Sequence, residues 1–86
     1  MTAIFKNGIA KFEQDENKED VIVAFNFRAA KPGLYNLTMD SEPIGSLFIM
    51  ANGSGVTLLK FKETKIGDLI GKKIIIESYD EAVIKN

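Results

Sequence analysis

Between Val21 and Phe27 the chain alternates with a period of two. Val21, Val23, Phe25 and Phe27 form one series, and Ile22, Ala24, Asn26 and Arg28 the other. β-Branched and aromatic residues on every second position predict a half-buried strand. Beyond Pro32-Gly33 the alternation resumes, with Tyr35, Leu37 and Met39 against Leu34, Asn36, Thr38 and Asp40. Pro at the second and Gly at the third position of a corner predict a type II turn. That geometry fits a two-residue hairpin poorly, so a wider connection from Ala29 to Gly33, crossing between two layers, is expected.

The same reading extends along the chain. Thr2–Lys6 and Ile9–Gln14 read as strands joined at Asn7-Gly8, a strong hairpin signal. Asp15–Asp20 (DENKED) is a polar tip, and Ser41-Glu42-Pro43 a loop. Ile44–Met50 is a strand with little alternation. Asn52–Gly55 is a turn, Val56–Lys62 a strand, and Lys65–Gly71 a loop or single helical turn. Lys72–Tyr79 holds Ile74, Ile75 and Ile76, a run suited to a strand covered on both sides, and Ala82–Lys85 closes the series. No window sustains a helical period. The expectation is an all-β single domain over residues 1–86, an antiparallel Greek-key sandwich or flattened barrel of seven to eight short strands. Phe5, Phe12, Phe25, Phe27, Phe48 and Phe61 are assigned to its core by their strand spacing. Tyr35 and Tyr79 are placed at element ends.

Composition narrows the chemistry. The 86 residues include no Cys, His or Trp. Disulfides, thiolate metal sites, the commonest general base and the commonest metal ligand are therefore all missing. Eleven basic and twelve acidic residues nearly cancel, with no basic run, which argues against nucleic acid as a partner. Met1–Lys11 has no long apolar core, so no signal peptide is read there, and no stretch reaches membrane-spanning length. The expected location is the cytoplasm or a particle assembled inside the cell.

The segment FEQDENKEDVIVAFNFRAAKPGLYNLTMD, followed by IGSLFIMANGSGVTLLKFKETKIGDLIGKKIIIES, resembles copper/zinc superoxide dismutases. In that family a strand, a Pro-Gly corner and a histidine-bearing strand follow one another. The resemblance covers Phe12 to Ser78 and implies a Greek-key β-barrel. It does not bring the chemistry with it. By motif position the family's copper-binding histidines fall on Thr38, Asp40 and Glu77, and Tyr35-Asn36 stand where the family has His-Gly. The metal-binding loop shrinks to Ser41–Ser46, and the disulfide has no cysteines. Dismutation needs a redox copper in a nitrogen-rich site, so the resemblance implies a barrel stripped of its metal chemistry.

Weak candidates remain. Thr38, Asp40 and Glu77 would offer a hard cation two carboxylates and a hydroxyl, against the simpler reading of polar strand ends in water. Asp15, Asn17, Glu19 and Asp20 lack the glycine and terminal glutamate of a calcium loop and read as a solvated tip. Asn52–Gly55 lacks the following helix of a phosphate loop. Ser41, Ser46, Ser54 and Ser78 have no histidine to activate them. No cofactor is expected. More telling are apolar residues on both faces of several strands, because an isolated two-layer sandwich buries only one face per sheet. Ile22, Leu47, Ile49, Ile75 and Tyr79 are the expected contact residues. The sequence thus points to a non-enzymatic structural subunit acting through protein–protein contacts, by self-association or within a larger assembly such as a virus-like particle. The alternative is a monomeric ligand- or metal-binding module descended from a dismutase-like barrel, without dismutase activity.

Overall fold

The computed structural model describes all residues from Met1 to Asn86. Eight strands form in chain order: β1 (Thr2–Phe5), β2 (Gly8–Gln14), β3 (Val21–Phe27), β4 (Gly33–Met39), β5 (Glu42–Ile49), β6 (Gly55–Phe61), β7 (Lys73–Ile76) and β8 (Asp80–Val83). A single 3-10 turn, Ile66–Leu69, interrupts the β6–β7 connection. The strands build two antiparallel four-stranded sheets, β1-β2-β3-β6 and β5-β4-β7-β8. The β3–β4, β5–β6 and β6–β7 connections each cross from one sheet to the other, the Greek-key pattern expected from the sequence. At one seam Thr2 and Lys85 exchange both backbone hydrogen bonds, 2.9 and 2.8 Å. At the other seam β5 and β6 run side by side without pairing. No helix is long and apolar enough to cross a membrane.

The alternation read from Val21 to Phe27 is the alternation of burial. Val21, Val23, Phe25 and Phe27 are all buried, while Ile22 and Asn26 face out. They meet Leu37, Leu47, Ile49, Ile74 and Ile76 from the facing sheet in one core of 16 buried residues. Phe5 packs against Phe25 and Phe27 at ring-centroid distances of 6.5 and 5.5 Å. No polar or charged residue is buried, so folding leaves no charge in need of compensation.

Several local expectations change. Gly8 is needed for space and not for the turn: the two-residue hairpin loop is Lys6-Asn7, with Phe5 opposite Gly8. A Cβ on Gly8 would stand 2.4 Å from Cγ of Phe27. The Pro32-Gly33 corner is not a type II turn. Gly33 opens β4 at φ 151°, and the backbone turns at Ala29, φ 52°. There Ala30 N–H donates to Gly53 O at 3.0 Å and the Asn7 side-chain amide donates to Ala29 O at 3.3 Å. Ser41-Glu42-Pro43 is not a loop. Asp40 and Ser41 both take left-handed φ, 49° and 72°, and make a tight hairpin that pairs Met39 with Glu42. A shift of register between Leu37 and Thr38 then leaves Ile44 as the extra residue of a β-bulge.

Phe48 departs from its core assignment, and Leu47 and Ile49 depart from theirs as contact residues. Leu47 and Ile49 are buried, whereas Phe48 is 57% exposed. The apolar run LFIM gave no period from which to choose a face. The choice is made by pairing to β4, whose core residue Leu37 lies opposite Gly45, and Leu47 and Ile49 have the same parity.

Replacing Gly8 by Ala forces the Phe27 ring off its place, and overpacking of this kind costs about 1–3 kcal/mol. The expected result in urea is a lower midpoint at unchanged slope; an unchanged midpoint would show that the ring moves freely.

Candidate functional site

The barrel ends are tied by side chains. At one end Tyr35 and Tyr79 stack at 5.2 Å. The Tyr79 hydroxyl is 3.0 Å from Asn7 Oδ1, and the Tyr35 hydroxyl donates to Lys31 O at 2.8 Å. Tyr79, half-buried, is thereby engaged within its own chain. At the other end the Gln14 amide donates to Asp20 O at 2.7 Å and to Thr64 O at 3.0 Å. Its oxygen accepts from Ile66 N–H at 2.9 Å. One half-buried side chain thus fastens three segments.

The acidic tip is used for structure. Asn17 Oδ1 accepts from the N–H groups of Glu19 and Asp20 at 2.9 and 3.3 Å. Asp20 Oδ1 accepts from Glu63 N–H at 3.0 Å, Oδ2 accepts from the Asn17 amide at 3.3 Å, and Lys60 Nζ stands 3.6 Å away. The Glu63 N–H, the Asn17 amide and then Lys60 hold the Asp20 carboxyl below its ordinary value of 3.8. Asn52 plays a similar local part, accepting from Ser54 N–H at 3.0 Å and from its hydroxyl at 2.8 Å.

Thr38, Asp40 and Glu77 do not come together. Glu77 N–H donates to Asn36 O, while Asp40 and Lys73 bond to each other at the far end of the β4–β7 ladder. Asn36 and Asp40 are four strand residues apart, about 13 Å. Asp40 Oδ1 accepts from Lys73 N–H at 3.0 Å, and Glu77 Oε1 accepts from the Asn36 amide at 3.3 Å. The two carboxylates cannot share a cation, and no group of three or more acidic side chains is placed to hold one. Motif position linked these three residues; the strand register spreads them along the β4–β7 pair.

A cleft of about 600 Å³ lies at the β1–β8 seam, lined by Thr2, Ile4, Lys73, Val83 and Lys85 among others. Antiparallel alternation turns the backbone groups of Thr2 and Ile4 toward β8. Thr2 uses both of its groups on Lys85, but no pairing joins Ile4 to β8. Lys73 Nζ is 3.6 Å from Glu81 Oε2. The cleft offers apolar surface, lysines and one paired carboxylate, and no activated nucleophile.

The outer faces carry more. On β1-β2-β3-β6 the outward rows read Ile4-Ile9-Asn26-Val56, Thr2-Lys11-Ala24-Leu58 and Glu13-Ile22-Lys60. On the second sheet Leu34 stands directly opposite Phe48, and Ile75 lies between Thr38 and Glu81. Ile22 and Ile75 do face outward, each only about a third exposed. Leu34, Val56 and Leu58 are far more open, and the sequence reading passed over them. Their signal was the alternation of Val56 and Leu58 against Leu59 and Phe61, which marks two apolar faces on β6.

No family model, curated protein or solved structure matches the chain.

Two outcomes follow. A carboxylate held below its ordinary value contributes stability above that value and loses it as pH falls through the folded value. Asp20→Asn should therefore lower stability at neutral pH and flatten the acid side of the stability curve below 3.8, read by denaturant midpoints at several pH values; a parallel acid limb would remove Asp20 from the account. Calcium or manganese in large excess should leave the melting temperature unchanged, whereas a site occupied at 100 times its dissociation constant would add about 2.7 kcal/mol.

Proposed function

We propose that this chain is a non-enzymatic structural subunit that works by packing against other protein, in the cytoplasm or in a particle assembled inside the cell. The carrying observation is the set of large apolar side chains left open on a domain that already has a full core: Leu34, Phe48, Val56 and Leu58. Water-facing apolar surface costs free energy that a protein neighbour relieves. The missing imidazole and thiol support the same reading, since a barrel without them has little but its surface to act with. The resemblance to copper/zinc superoxide dismutases enters as ancestry, a retained barrel without the family's histidines. The second reading, a monomeric module of that descent that binds a small ligand, is favoured by the β1–β8 cleft alone.

Sedimentation of the protein from its native source, with cross-linking before lysis, tests the first reading. The chain should travel in an assembly far above 9.5 kDa. A free chain of that mass, or a purified chain that consumes superoxide, would overturn it.

A further inference from the structure

The exposed apolar side chains are not spread evenly. β5 and β6 run alongside each other at the unpaired seam, and a Cβ on Gly55 would lie 2.7 Å from Phe48 O and 2.6 Å from the Ile49 side chain. Phe48 on β5 and Val56, the residue after Gly55, are therefore neighbours across the seam. Strand register extends this pair on both sides. Leu34 lies opposite Phe48 on β4, Leu58 is two residues beyond Val56 on the same face, and Ala24 is opposite Leu58 on β3. Met50 has the parity of Phe48. The result is one surface wrapping the seam, in which Leu34 is 69%, Phe48 57%, Met50 47%, Val56 70% and Leu58 70% exposed.

We infer that this β5–β6 seam surface is the contact between two copies of this chain, a deepening of the protein-contact reading on which it rests. Size is the first argument. At roughly 100 Å² for each of the five side chains the surface reaches roughly 500 Å², the upper range of what a soluble monomer leaves open. The flanking Ile22 and Ala24, each partly exposed, extend it toward the ~800 Å² per partner of a stable complex. Charge is the second. The residues beside Leu34, Phe48 and Val56 in the register are Asn26, Asn36 and Ser46, all neutral, and charge enters only at the rim, with Lys11 opposite Ala24 and Lys60 two residues beyond Leu58; a charge-poor centre inside a polar rim is the mark of an interface. Lys60 is answered within its own chain by Asp15 and Asp20, each at 3.6 Å, and a net charge of −1 lets two copies approach without strong repulsion. A two-fold contact uses the same patch on both partners, here the seam edge where the two sheets meet.

Analytical ultracentrifugation of the purified chain over the micromolar range tests this, with far-UV circular dichroism to check folding. The wild-type chain should sediment as twice 9.5 kDa. Leu58→Lys and Phe48→Lys, each at an exposed position, should weaken association at least about 30-fold, the effect of losing one hot-spot side chain. Ile4→Lys, at the opposite edge of the same sheet, should leave it unchanged. A monomer at every concentration overturns the inference. A dimer that withstands both seam changes, or one lost equally on Ile4→Lys, also overturns it while leaving the broader protein-contact reading in place. Failure of that broader reading shows separately, as a free chain in the native sedimentation.

Discussion

Everything in this molecule depends on the inward row of β3. Val21, Val23, Phe25 and Phe27 lie at the centre of one sheet, between β2 and β6, and complete the apolar layer against the second. With no disulfide or buried ion pair to share the task, apolar burial and the strand ladders hold the fold. A core of 16 residues in a chain of 86 is small, and small cores tolerate little loss of volume. That is why the close approaches at Gly8 and Gly55 matter: each lets an apolar neighbour lie directly on backbone, gaining contact that a side chain would block.

How much of this could be read in the sequence depends on where the alternation was clean. In β3 and β4 one series of alternate positions is uniformly apolar and the other holds the polar residues, so their faces followed from a period of two, whereas in β6 both series hold large apolar residues. Along β5, Leu47, Phe48, Ile49 and Met50 are all apolar, so either parity could face the core, and only partners far along the chain decide. The hairpin at Asp40-Ser41 was hidden because neither residue is glycine, although both take left-handed φ. Asp tolerates that region through local hydrogen bonding, and Asp40 is further held by its bonds to Lys73.

The candidate site was less legible than the fold, for a related reason. Thr38, Asp40 and Glu77 were linked by motif position, and position in a motif carries no distance. The β4–β7 register sets Glu77 beside Asn36 and Asp40 beside Lys73, and the cation idea dissolves. The exposed apolar surface was announced as a class by residues on both strand faces. Its location required knowing that β5 and β6, from different sheets, lie side by side.

The Thr2–Lys85 bridge has a consequence of its own. It brings the two extremities of the chain together on the rim diametrically across from Phe48 and Val56. A polypeptide grafted to either extremity would emerge there, clear of the opposite wall. The barrel is thus suited to carry cargo on one flank while the other is occupied, and its two ends could be spliced and the ring reopened at the Asp15–Asp20 tip without disturbing a single strand.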